Sequence, residues 1–197
     1  MILKSLEERF KEPIKNIKVG DETLGVVKLN GIRGIVVFTT DLGKYRMPVP
    51  SKYENEAHIE LYFLLPDYWE DTLENELFTW SINRLIATKN YIKSGAWAIS
   101  GNTFSFGELP ASRFNQRGFS ALLLMDPIAI EEFKTPVKLG ENFCYFKGLT
   151  PIFSIEKDVK EARGMNKFIQ RIMDKGMTEK LDEFREPIIK PRFLFWR

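Results

Sequence analysis

The apolar positions of this chain fall into a few dense runs and a few helical stripes. The densest run is 57–65, AHIELYFLL, where β-branched, aromatic and aliphatic residues follow one another with little polar alternation. Such a run predicts a central strand buried on most of both faces. Pro66 cannot donate to a sheet ladder, so the strand should end there, with Tyr68 and Trp69 turning the chain into a helix. A second core strand is predicted at 119–125, closed by Asp126-Pro127. Runs 24–29 and 35–40 flank an Asn30-Gly31 pair, a strong turn signal, and read as a hairpin. The stretch 39–50 is a loop punctuated by Gly43, Pro48 and Pro50. Residues 96–106 read as a short strand and loop, 109–118 as a polar connection, and 143–155 as one or two strands around Gly148 and Pro151.

Helical spacing appears in three places. Leu3, Leu6 and Phe10 predict a short helix over 2–12. Asp71 and Glu74 fit a capping box that would open a second helix running to about Lys93, with Leu77, Ile82, Leu85 and Ile86 as its inner stripe and Gly95 at its end. From Ile155, apolar residues at Val159, Ala162, Met165, Ile169 and Ile172 predict one helix, or two shorter ones broken at Gly164. The tail, PRFLFWR, either docks on the core or forms an exposed aromatic patch. Strands and helices do not alternate strictly. The order favours an α+β fold with a mixed, mainly antiparallel sheet and helices packed on it, over a doubly wound one.

Composition narrows the picture. The chain has 197 residues, the size of one domain, with 16 Phe and 4 Trp to build a core. No apolar run approaches the roughly 20 residues of a membrane span, and the charged N-terminus lacks a secretory h-region. A single cysteine, Cys144, excludes an intrachain disulfide, and a cytoplasmic location is the expectation. Net charge is +2, which gives no bulk attraction for nucleic acid. Its distribution is uneven: eight of the 27 acids lie in 54–76, a stretch without Lys or Arg, leaving 19 acidic against 29 basic residues elsewhere. Glu70, Asp71 and Glu74 either complement the dipole of a helix start or form an acidic face for a basic partner.

Catalytic signals are sparse. One His and one Cys, far apart in sequence, make no metal-ligand spacing. His58 shares a strand face with Glu56 and Glu60, so a pairing that raises its pKa is open, as is a purely structural role. Cys144 in FCYF reads as a buried thiol. Neither Gly31-Ile32-Arg33-Gly34 nor Gly101-Asn102 matches a phosphate loop, and there is no nucleophile elbow. The sequence argues for no cofactor and against an enzyme. Polar and aromatic residues on predicted loops are the better candidates: Thr40, Arg46, Tyr68, Trp69, Trp97 and Asn102.

At these residues the chain resembles the suppressor of fused (SUFU) family, in its bacterial, single-domain form. TTDLGKYRMPVP is similar to the family's Thr-x-Gly-Met-Ser-x-x-Pro-Met segment, with Asp41-Leu42-Gly43-Lys44-Tyr45 at its centre. IELYFLLPDYW resembles the family's strand end, WSINRL its following helix, and SGNTFSF, ALLLMDP, TPVKLGENFCYF and TPIFSIE come in the family's order over about 35–185. The resemblance implies one SUFU-like α+β domain over 1–197 that binds protein and has no catalytic site. In animal relatives an acidic residue after the Ser-Gly and an aromatic just upstream help grip a short peptide. The corresponding places here carry Asn102 and, within a residue, Tyr91. Bacterial members are regarded as immunity proteins that bind and neutralise polymorphic toxins.

Three readings follow. One is an immunity protein meeting a basic toxin through Glu70, Asp71 and Glu74. Another is a peptide-binding module with Tyr91, Trp97 and Asn102 lining its groove. The third is an enzyme using His58 with a carboxylate. No nucleic-acid or membrane partner is expected.

Overall fold

The computed structural model describes residues 2–30, 34–106 and 113–189. Its frame is a mixed sheet in the order β1-β2-β3-β4-β8-β6-β5, with β7 pairing the start of β8 off that path. The strands are β1 (Lys15–Val19), β2 (Glu22–Leu29), β3 (Gly34–Thr39), β4 (Ile59–Leu65), β5 (Thr103–Ser105), β6 (Phe119–Met125), β7 (Val137–Leu139) and β8 (Asn142–Phe153). The 59–65 run is the middle strand, and all seven of its residues are buried. It pairs antiparallel with β3 and parallel with β8, the one parallel pairing among the described strands. The α+β fold with a mainly antiparallel sheet therefore stands as the hydrophobic pattern predicts.

Burial on both sides explains why β4 reads as an unbroken apolar run. Ile59, Leu61, Phe63 and Leu65 face one core, which α2 (Glu76–Lys93) covers. Tyr62 and Leu64 face the opposite core, under α1 (Ile2–Phe10) and α4 (Glu131–Lys134). On that second face α6 (Met165–Asp174), which follows α5 (Ser154–Arg163), buries Phe168 and Ile172 against Ala121, Leu123 and Ile152. Phe133 stacks on Phe146 at 4.0 Å, fixing α4 to β8. Each such fully buried large apolar side chain contributes about 1.5–3 kcal/mol relative to its exposed state. In the β2–β3 hairpin Gly25 faces Phe38, whose ring lies where a side chain on Gly25 would stand, 2.3 Å from an ideal Cβ. The missing Cβ lets the ring cross its neighbouring strand.

The structure departs from the sequence expectations, or makes them more specific, at five places. First, β1 was not anticipated: Lys15–Val19 is polar and half exposed because it is the outer strand, tied to β2 through a turn at Gly20, φ +60°. Second, the 39–50 loop carries buried residues, Thr39, Leu42, Gly43 and Met47, around a short 3-10 turn. Third, Asp71 does not cap α2. Asn75 does, its Oδ1 accepting from Leu77 N and Phe78 N at 3.0 Å each, so Glu70, Asp71 and Glu74 lie in the preceding loop. A capping oxygen must sit two or three residues before the first free N–H groups, and Asn75 meets that spacing. Fourth, of the 143–155 stretch, 143–153 belongs to one strand, β8, and Ser154 and Ile155 open α5. Pro151 is tolerated because its carbonyl faces Arg185 Nη2, 2.8 Å away, on the side opposite β6, so no ladder bond is lost. Fifth, the 109–118 connection contains α3 (Arg113–Gln116), whose Phe114 is fully buried. Gly164, φ +83°, separates α5 from α6 as its position in the sequence suggests. The PRFLFWR tail lies outside the described residues.

Two buried carboxylates hold the segment after α6 to this frame. Glu179 accepts from Tyr62 Oη at 2.9 Å and from the backbone of Ile128, Ala129 and Ile130. Glu156 takes a two-pronged bond from Arg185, at 2.7 and 2.6 Å, together with Phe153 N and Ile188 N at 2.9 Å each.

Candidate functional site

Helix α2 carries Arg84, Ala87, Thr88 and Tyr91 at the 3- and 4-residue spacing of one helical face. That face and strand β5 enclose a cavity of 540 Å³, whose rim includes Trp97 and Asn102. Three residues from separate parts of the sequence are thus brought together, as expected for a binding groove. Tyr91 is 58% exposed and meets the edge of Phe104 at 5.9 Å. Trp97 is 39% exposed and stacks on Tyr53. Asn102 makes a turn: its Oδ1 accepts from Ile99 N at 2.7 Å, and its own N–H returns to Ile99 O. Gly101, φ +99°, permits that turn.

Strand β5 is the last in the sheet, and among the described residues nothing pairs with its outer side. Leu124 N donates to Asn102 O, and Phe106 N to Ser120 O. Backbone groups alternate along an antiparallel strand, so Asn102, Phe104 and Phe106 point theirs toward β6. The N–H and C=O of Thr103 and Ser105 point outward, available to another strand.

Arg84 was not singled out from sequence, although an arginine on the apolar stripe of a helix is a legible signal. It is 3% exposed. Its Nη1 donates to the Phe106 carbonyl, and its guanidinium lies 4.8 Å from the Phe106 ring and 5.5 Å from the Trp80 ring. Among the described residues, Nε and Nη2 have no partner. Burial pulls its pKa below the usual arginine value. The other buried cations are differently placed. Lys89 is paired with Glu22 and Asp41, and Lys147 with Glu56 and Asp126.

The acidic candidates lie elsewhere. From Glu76 to Tyr91 is about 22 Å along α2, so the loop of Glu70, Asp71 and Glu74 stands far from the cavity. Part of the 54–76 cluster is neutralised internally: Glu54 by Arg46, Glu56 by Lys147, Asp67 by Lys180 and Asp71 by Lys15. Glu70, Glu74 and Glu76 are exposed and, among the described residues, unpaired, beside exposed Tyr68 and Leu73.

His58 has no carboxylate partner among the described residues, which corrects the pairing with Glu56 or Glu60. Its Nδ1 contacts Gly43 O at 2.9 Å, while the Glu60 carboxylate is taken up by Thr39 Oγ1 and Gly43 N. Burial pushes Glu60 up to about 7, against the pull of those two donors. Burial, then the nearby Glu60, raises the Cys144 thiol, which leaves little thiolate. Thr40 bonds Thr23 O, and Trp69 is buried against Phe114. Among the described residues no three His, Cys, Asp or Glu side chains are grouped to hold a metal ion, and no helix is long and apolar enough to cross a membrane. A larger cavity, 730 Å³, lies between Pro66 and the 175–188 segment, and the Arg185 and Lys180 in its wall are held by Glu156 and Asp67.

An open strand edge beside an aromatic-rimmed pocket is the equipment of a protein-binding domain. The profile described as Suppressor of fused protein (SUFU) matches residues 20–186, and the chain belongs to that family. Solved structures share the fold. A SUFU homolog from Neisseria gonorrhoeae FA 1090 has 16% identity and a TM-score of 0.65, with 96% of each chain covered. A chain of the Sufu–Fu complex has 12% identity and a TM-score of 0.63, covering 95% of this chain and 90% of that one. Drosophila Suppressor of Fused has 11% identity and a TM-score of 0.56, and the match covers 95% of this chain but 50% of that one. No curated protein matches the sequence.

Proposed function

We propose that this chain is a non-catalytic protein-binding domain acting in the cytoplasm, and that it takes an extended segment of its partner along the outer side of β5. The observation that carries this reading is the edge at Thr103 and Ser105, unpaired among the described residues, beside the pocket rimmed by Tyr91, Trp97 and Asn102. Main-chain bonds along the edge would supply affinity, and the pocket would select side chains. The fold relative solved as a Sufu–Fu complex agrees with a protein partner.

The exposed Glu70, Glu74 and Glu76, next to Tyr68 and Leu73, favour a second reading: an immunity protein that meets a basic toxin domain through this loop. One experiment separates the two. The tagged domain captures its partner from the native organism, mass spectrometry identifies it, and the purified partner is titrated against variants. Ser105→Pro removes an outward N–H without touching the β6 ladder. Loss of binding in Ser105→Pro, with Glu70→Lys/Glu74→Lys unchanged, supports the edge. The reverse pattern supports the toxin interface and contradicts the edge.

A further inference from the structure

Arg84 is a permanent charge placed where no charge is neutralised. Its pocket contains Thr88, Asn102, Thr103 and Ser105, which are neutral, and, among the described residues, no carboxylate. Nη1 is engaged with Phe106 O, so the free edge of the guanidinium is the Nε–Nη2 side. Those two N–H groups lie parallel and form the fork that fits the two oxygens of one carboxylate. Neither free nitrogen of Arg84 is open to water. A carboxylate reaches them by displacing what screens them, and the pair then forms where competition from water is weak.

Resting on the peptide-binding reading above, we infer that this pocket receives a carboxylate of the partner segment, and that Arg84 is its specificity-determining residue. The group is an Asp or Glu side chain or a free C-terminus, the same chemistry from two sources. A single guanidinium fork matches a monoanion. A phosphate dianion would call for further donors, and the pocket's other polar groups are neutral. One hydrogen bond, from Nη1 to Phe106, and the contacts with the Phe106 and Trp80 rings hold the side chain inward, and no ion pair among the described residues has to break for it to meet a ligand. The environment explains why a charge is kept here: an unpaired buried guanidinium is a poor stabiliser and a strong anion receptor.

The test uses the whole domain and two phage-displayed libraries of random dodecapeptides, one of them presenting a free carboxyl terminus. Enriched sequences are synthesised and titrated by fluorescence polarisation. The expected result is an acidic residue at one fixed position, or a required free C-terminus. Binding should then weaken about 10- to 100-fold in Arg84→Met and in peptides with Asn, Gln or a C-terminal amide at that place. Comparison of the substituted and amidated peptides tells the two sources apart. In the wild-type protein, which needs no variant to fold, the Arg84 Nε–H resonance should move with the acidic peptide and stay with its neutral counterpart. Peptides that bind without an acid, or bind Arg84→Met equally, overturn this inference and leave the edge reading standing. Failure of both libraries to yield a binder overturns both.

Discussion

Arg84 and Lys89 lie on one helix, five residues apart, and both are almost fully buried. Lys89 meets two carboxylates, Glu22 and Asp41, and closes α2 onto the β1–β2 hairpin and the loop after β3. Arg84 meets one carbonyl and two aromatic faces. The rest of the frame follows the Lys89 pattern: Lys147 with Glu56 and Asp126, Arg185 with Glu156, and Glu179 filled by a tyrosine and backbone donors. Where charge serves the fold, its hydrogen-bonding capacity is filled from within. Among the described residues Arg84 is the exception, and it lines the pocket beside the open edge.

The largest expected effect tests the filled side of this comparison. Arg185→Met leaves Glu156, wholly buried, without its counter-charge. Loss of one partner of a buried pair costs about 3–5 kcal/mol, which a shifted urea midpoint would show. A loss below about 1 kcal/mol would mean that the strap at residues 185–188 adds little to stability.

Glu60 sharpens the comparison from the other sign. Like Arg84 it is buried without a counter-ion, but a carboxyl can take a proton and a guanidinium cannot. Its pKa rises from an ordinary 4.5 to about 7. The folded state then holds this proton more tightly than the unfolded chain does. Its contribution to stability is full below about pH 4.5, falls as pH rises toward 7, and is flat above that. The total change is on the order of 3 kcal/mol. Glu60→Gln should remove that slope from unfolding curves taken between pH 4.5 and 7, its amide oxygen still accepting from Gly43 N and its NH2 donating to Thr39 Oγ1.

Much of the fold was legible because burial leaves a periodic mark. The doubly buried β4 is an apolar run, and the break at Gly164 follows its need for positive φ. Strand β1 left no such mark, since Lys15, Asn16 and Lys18 lie on an outer strand where polar residues are tolerated. The start of α2 was misread because Asp71/Glu74 and Asn75 offer competing caps, and only tertiary packing chooses between them. In the site, Tyr91 follows from family likeness, Trp97 from being an aromatic on a predicted loop and Asn102 from both, and the pocket gathers all three. Arg84 does not stand out inside WSINRL, because polarity alone does not tell a solvated arginine from a buried one. The distinction lies in helix phase: position 84 falls with Leu77, Ser81 and Thr88 on a buried face.

The most direct measurement sets Arg84→Met beside Arg185→Met in paired urea unfolding, with no ligand present. If Arg84 is kept for a partner, its loss should change stability by no more than about 1 kcal/mol, because one hydrogen bond and its ring contacts are exchanged for relief of a buried, half-bonded charge. A loss of several kcal/mol, matching Arg185→Met, would make Arg84 a structural residue and contradict the account.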